Sequence, residues 1–368
     1  MISRVYLRRV DFPLMFSALA LTGAGLTVLY SLGRRPWDAA GMTYFNQQAV
    51  WFCAAAVAAV ACLALDYRFW GRISWILYAA NIILLAALIL FGETTRGAER
   101  WFRLGPVKAQ PSEFAKLIFA VAFADFLARR AGESGARMLA TSAAYFIAPF
   151  GLILLQPDFG TALVFAAIFF GMLFAGGVEV VKIGALAAAM AAGAGAAAPF
   201  VIRGYQLRRL FSFLNPGIDV QGAGYQLAQS KTAIGAGHVF GGGLLGGTQS
   251  SLGYLPAAHT DFIFAALCEK AGFAGGAAVI ALLCFFLYRL VIISLQAEEA
   301  FATYIVAGVL VMVASQAGIN LAMTVGLFPI TGVPLPFVSY GGSSLVTTFA
   351  AVGLVLNVCV RRRRIMFL

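Results

Sequence analysis

Charge is scarce in this chain: Asp, Glu, Lys and Arg make up only 11% of its 368 residues. A soluble domain keeps about a quarter of its residues charged, to hold a polar surface in water. With 61% hydrophobic residues, this chain cannot cover itself that way. Disulfide frameworks are missing too. The five cysteines (Cys53, Cys62, Cys268, Cys284 and Cys359) lie in or beside apolar runs, without metal-site spacing, and read as buried small apolar residues. No Walker A loop, dinucleotide fingerprint, zinc spacing or Ser/His/Asp triad is present. Acids are outnumbered 15 to 26 by Lys and Arg, a net charge of +11. The basic residues sit between apolar runs, which argues against nucleic acid as the partner. They fit positive-inside charge on one membrane face and something anionic on the other.

What is abundant is long apolar sequence. A hydrocarbon core about 30 Å thick takes about 20 helical residues. Spans are expected near 13–32, 47–65, 73–91, 113–130, 139–156, 159–177, 182–201, 262–288, 301–323 and 343–360. The fold class is therefore all-α: a polytopic integral membrane protein of about ten transmembrane helices in one domain, 1–368. The start, MISRVYLRRVDF, runs into a full-length span without a small-residue cleavage site and reads as a retained first helix. An even span count puts both termini on one face. Arg4, Arg8 and Arg9 at the front and Arg361 to Arg364 at the back make that face cytoplasmic. The other face also carries cations: Arg34, Arg35, Arg96, Arg100, Arg103, Lys108, Arg203, Arg208, Arg209 and Lys231. That works against the orientation signal and points to an anionic partner. Residues 203–260 form the one sizeable extracytoplasmic loop, rich in glycine, whose backbone can approach a ligand closely.

Ionisable side chains in or beside spans require individual accounts. Glu113 and Lys116 stand at i and i+3 behind Pro111, either as an ion pair locking a helix start or facing a polar cavity. Asp125, opposite Lys116 on the helical wheel, pairs with Arg129. Asp158 is a turn or N-cap aspartate, or part of a site. Asp261 follows His259 and Thr260 at the mouth of the eighth span. It either caps that helix or accepts a proton in a partly dry cavity. Glu269 and Lys270 are adjacent, point in different directions and need not pair. The stretch 326–344, GLFPITGVPLPFVSYGGSS, has no charge and several prolines and glycines. Irregular backbone of that kind at membrane depth must be buried or line a cavity, so it reads as a re-entrant wall with Ser339 facing something polar.

At these residues the sequence resembles the SEDS family of bacterial cell-wall polymerases, its elongation branch RodA first and its division branch FtsW next. The motifs are RGAERWFRLG (96–105), QPSEFAK (110–116), QPDFGTAL (156–163), GYQLAQSKTAIGAG (224–237), GTQSSLGYLPAAHTDFIFA (247–265) and TGVPLPFVSYGGSS (331–344). HTDF in place of HSDF leans toward RodA. The chain departs from the family at Ala257, where an acid is usual, at Lys270, often Glu, and at Gly242 or Gly243, often basic.

The resemblance implies a SEDS-type membrane glycosyltransferase of the bacterial cytoplasmic membrane that polymerises lipid II on the outer face. Asp261 matches the family's essential aspartate, and Arg100, Trp101, Glu113 and Lys116 match residues that line or support its cavity. Expected partners are lipid II, undecaprenyl diphosphate, a class B penicillin-binding protein transpeptidase and other membrane proteins of the elongation complex. An acceptor 4-hydroxyl would attack the anomeric carbon with Asp261 as base, and Arg100, Lys116, Arg209 or Lys231 would meet the departing diphosphate. Asp158, His259, Thr260 and Ser339 complete the expected substrate-binding set. One carboxylate plus phosphates is also a Mg²⁺ pattern, so a divalent cation (Mg²⁺ or Mn²⁺) at Asp261 is admitted. A lipid-linked precursor flippase is the alternative, although the two halves show no inverted symmetry.

Overall fold

A computed structural model describes residues 9–34, 41–91, 93–95, 98–104, 107–133, 135–201, 213, 219 and 222–361. Each of the ten expected spans finds a helix. These are α1 (Phe12–Gly33), α2 (Gly41–Ala64), α4 (Ser74–Phe91), α5 (Pro111–Arg129) and α6 (Gly135–Leu155). They continue with α7 (Phe159–Ala175), α8 (Val180–Val201), α11 (Ile263–Leu295), α12 (Ala300–Val325) and α13 (Gly342–Arg361). The short helix α3 (Tyr67–Arg72) joins α2 to α4. Seven of these helices are long and apolar enough to cross a membrane, and α7 and part of α8 are shorter apolar helices. Helix α5 has the length but carries Glu113, Lys116, Asp125 and Arg129, and its packing explains how it keeps them.

Two features were not expected. Residues 93–109 form a small antiparallel sheet, β1 (Glu93–Thr95), β2 (Ala98–Leu104) and β3 (Val107–Ala109), with Trp101 opposite Glu93 and Phe102 opposite Ala109. The described part of 203–260 also holds two helices, α9 (Ala223–Ala236) and α10 (Thr248–Ser251), so it is more ordered than a glycine-rich loop implies.

Helix α13 lies at the centre, buried along most of its length. It packs along α2, where small residues let backbones meet: a Cβ on Gly353 would sit 2.2 Å from the Ala59 carbonyl oxygen. At the end of α2, the Asn357 amide of α13 donates to the carbonyls of Cys62 (2.8 Å), Leu63 (3.0 Å) and Leu65 and accepts from the Tyr67 N–H (3.0 Å). Arg361 donates to the carbonyls of Leu63 and Ala64, so the helix end has partners for groups that no intrahelical bond reaches. At the same end, Asp11 of α1 pairs with Arg289 of α11, and Arg68 pairs with Glu299.

Helix α5 divides its polar residues between two faces. Asp125 accepts from Ser74 Oγ of α4 (2.6 Å) and from Arg129 (2.8 Å). On the opposite face, Ala120 lies against Gly308 of α12. One turn before Ala120, Lys116 Nζ meets Glu113 Oε1 at 2.7 Å, with side chains only 1% and 5% exposed. The ion-pair account of this motif holds, and pairing is what permits the burial.

Candidate active site

The stretch from Gly326 to Gly341, between α12 and α13, is non-helical and largely buried. Its Val338 carbonyl oxygen lies 2.3 Å from where a Cβ on Gly25 of α1 would stand. Gly25 is eight residues inside the end of α1, about 12 Å at 1.5 Å per residue, so the stretch turns back among the helices. Gly326 starts it with φ 81°, and a Cβ there would also meet Lys231 Cε of α9 at 2.4 Å, so only glycine fits.

Residues 259–261 run beside this wall, and three successive carbonyls are held by it and by α12. The His259 carbonyl accepts from the Tyr340 N–H (2.9 Å). The Thr260 carbonyl accepts from Ser339 Oγ (2.8 Å), and the Asp261 carbonyl accepts from Asn320 Nδ2 of α12 (3.1 Å). The same Nδ2 also donates to Val333 (2.8 Å), so Asn320 ties the wall to the Asp261 strip. The main chain at Asp261 is therefore fixed by its own backbone bonds. The α11 N-cap is Phe262, one residue on, so Asp261 does not stand in the capping position. One carboxylate oxygen of Asp261 lies 3.8 Å from the Cβ position of Gly332.

The other expected residues fall out as follows. His259 stacks on Tyr44 of α2, centroids 4.2 Å apart, and meets Tyr340 edge-on. Burial, and then Tyr44, push the Tyr340 phenol above its usual range. Its hydroxyl donates to Gln47, and Gln48 holds both the Ser339 carbonyl (3.2 Å) and the Gly341 N–H (3.1 Å). Thr260 Oγ1 donates to Ala257 (3.4 Å). Ser339 faces polar groups of the protein itself: its proton goes to the Thr260 carbonyl and its oxygen accepts the Leu335 N–H (2.8 Å), so it braces the wall. Asp158 is the N-cap of α7, accepting from the Thr161 N–H and Oγ1, and Gln110 Nε2 joins it at 3.3 Å. Lys231 is exposed on α9 beside the end of α12. Arg100 and Trp101 lie on β2; their side chains, and all of Arg209, fall outside the described residues.

Sequence reasoning missed Asn320, Tyr44, Gln47, Gln48 and Tyr340. A signal existed for Asn320. It and Gln316, one turn apart on α12, are polar residues inside an apolar span, and each buries an amide oxygen that no donor among the described residues reaches.

The family model for the FtsW, RodA and SpoVE cell cycle proteins matches residues 12–364. The chain belongs to this family. FtsW of Alkalilimnicola ehrlichii, named a probable peptidoglycan glycosyltransferase, is 38% identical over 95% of this chain and 89% of its own. FtsW of Trichlorobacter lovleyi, of the same name, is 36% identical over 96% and 93%. Among solved structures, a chain from a peptidoglycan synthase complex described as coordinating polymerization and crosslinking superposes with a TM-score of 0.80 at 30% identity, covering 96% of this chain and 99% of that one. The rod shape determining protein RodA of Thermus thermophilus gives 0.73 at 28%, covering 96% and 98%. This FtsW/RodA family member is a multi-pass membrane glycosyltransferase.

Proposed function

We propose that this chain polymerises lipid II into glycan strands, with Asp261 as the base. The observation that carries the reading is the pinning of carbonyls 259, 260 and 261 by Tyr340, Ser339 and Asn320. A base must be held within a fraction of an ångström of the proton it takes, and a backbone fixed at three successive residues supplies that. The acceptor 4-hydroxyl gives its proton to Asp261 as its oxygen bonds the anomeric carbon. The bond from that carbon to undecaprenyl diphosphate breaks, and its electron pair leaves with the diphosphate. One displacement inverts the centre, and so good a leaving group needs no general acid.

Lys231 at the end of α12, with Arg100 and Arg209, is assigned to the diphosphate. Lys116 is already paired with Glu113 within α5, so the diphosphate is assigned to the other cations. The faces of Tyr44, His259 and Tyr340 suit sugar rings. Among the described residues no group of three His, Cys, Asp or Glu is placed to hold a metal. A divalent cation, Mg²⁺ or Mn²⁺, would be held by Asp261 together with the diphosphate oxygens.

We place this site on the outer face, with both termini cytoplasmic. We assign a class B penicillin-binding protein as partner, in line with the synthase complex of similar fold. The names of the relatives favour a division role over the elongation role that HTDF indicates. Depletion that yields filaments, not rounded cells, tests that choice.

The reading as a whole is tested with purified protein and lipid II in detergent. Wild type forms strands, whereas a flippase would form none. Asp261→Asn loses about 100-fold or more in rate while keeping its melting temperature. A normal rate in that variant sinks the assignment.

A further inference from the structure

The segment from His238 to Gly247 presents an unusual surface. Residues 232–260 contain no Asp, Glu, Lys or Arg. Phe240 is 82% exposed, Leu245 71% and Val239 56%, and Phe273 of α11 beside them is 74% exposed. In water, such a cluster would be a costly apolar patch.

The backbone is closed against itself and against α11. The N–H groups of Gly242 and Gly243 donate to the carbonyls of Glu269 and Lys270, each at 3.0 Å. In return, Phe273 and Ala274 donate to His238 (2.8 Å) and Val239 (3.0 Å). This exchange is possible because Gly272 breaks α11 with φ 69° and leaves no Cβ to strike the Gly241 nitrogen 2.4 Å away. The Glu269 carboxylate takes the N–H groups of Gln249 (2.6 Å) and Ser250 (2.7 Å). Lys270 Nζ donates to the carbonyls of Gly246 (3.0 Å) and Leu244 (3.3 Å), and Ser31 Oγ, in the last turn of α1, also reaches Leu244. Irregular backbone needs that arrangement where water cannot supply partners. His238 is exposed at the edge of the segment, and from Val239 to Gly247 the side chains facing out are apolar.

We propose that residues 239–247, with Phe273, form a wedge inserted among lipid acyl chains at the level of the last turn of α1, with His238 at its polar edge. The long loop is thus extramembrane only in part. The partner is lipid, because from Val239 to Gly247 the surface offers no ionisable or hydrogen-bonding side chain, and it adjoins two membrane helices. This holds whatever the enzyme's substrate.

The test uses the full chain with its five cysteines replaced by alanine, a nitroxide on Phe240→Cys or Leu245→Cys, and phosphatidylethanolamine/phosphatidylglycerol liposomes. At both sites oxygen should collide with the label more often than a water-soluble nickel chelate does, with the order reversed at Glu298→Cys in the exposed α11–α12 turn. Nickel dominating at 240 and 245 overturns the proposal, and so does exclusion of both reagents, which would mean a protein cover. Should the labelled chains not fold, Phe240→Trp in the otherwise native chain replaces them. Brominated acyl chains should quench its added emission by more than half, and unchanged emission refutes the insertion.

Discussion

Replacing Glu269 with glutamine is a small chemical change that should loosen the wedge without unfolding the bundle. The carboxylate is buried, 1% exposed, and accepts two N–H groups at 2.6 and 2.7 Å. Hydrogen bonds to a charged acceptor contribute about 1.5–3 kcal/mol each, and a buried N–H left without one costs about 1–3 kcal/mol. Glutamine keeps one carbonyl oxygen but turns an NH₂ toward the other donor. Relief of a buried charge offsets part of the loss, leaving about 2–4 kcal/mol against the closed loop. At about 1.4 kcal/mol per tenfold, the open state becomes roughly 30- to 700-fold more populated. Amide exchange by mass spectrometry in lipid nanodiscs reads this directly: peptides covering 241–251 should exchange faster by that factor, and those from α12 and α13 should not. Exchange within threefold of wild type at 241–251 would show that Glu269 does not hold the loop. Glu269→Asp, one methylene shorter, should also fail to restore protection.

Asn357→Ala removes an amide that holds the end of α2, and should cost about 2–4 kcal/mol, seen as a lower detergent melting temperature with α2 exchanging first. Lys116→Met leaves the Glu113 carboxylate buried and alone, at a cost of about 3–5 kcal/mol. The Glu113→Gln/Lys116→Met double variant should return to within about 1 kcal/mol of wild type, and a double as unstable as the single would contradict a simple pair. Gly25→Ala puts a methyl 2.3 Å from the Val338 carbonyl oxygen and must push the wall by about an ångström. Strand formation should drop about 100-fold, well beyond what the overpacking cost of about 1–3 kcal/mol removes from the folded population at assay temperature.

The helices were legible because a membrane span is written in composition, about twenty apolar residues whatever their order. The largest errors are Gly41 against 47, where the polar GMTYFN starts α2 ahead of its apolar stretch, and Leu295 against 288, where Arg289 suggested an end although LVIISL continues α11. The two-faced α5 was legible as well, since nine residues place Asp125 opposite Lys116 on any helix. The sheet at 93–109 was not, because strands of three to seven residues with several charges leave no usable alternation. Nor were the partners of Glu269 and Lys270. Their adjacency correctly argued that they need not pair, but Gln249, Ser250 and Gly246 lie about twenty residues earlier in the chain, beyond the turns at 252–262. The partners of Ser339 were not legible for a related reason. A serine in an irregular loop looks available to a ligand until the carbonyl it serves, Thr260, is located.

The strip that carries Asp261 is clamped at both ends by different chemistry. Ahead of it, the carbonyls of 259–261 are fixed by neutral donors from the wall and α12. Beyond it, residues 262–270 form a half-helix buried on every side, closed by Glu269 and Lys270. Gly272 then breaks the helix, so the long run of α11 in contact with α1 transmits no continuous hydrogen-bond ladder to the strip. A helix in a fluid bilayer tilts and shifts, whereas a catalytic base tolerates little displacement. Separating the two by one glycine lets α11 follow the bilayer while the half-helix stays registered on α12. Restoring an unbroken helix with Gly272→Ala should therefore harm strand formation more than it harms melting temperature. Equal losses in both would show that the break serves packing alone.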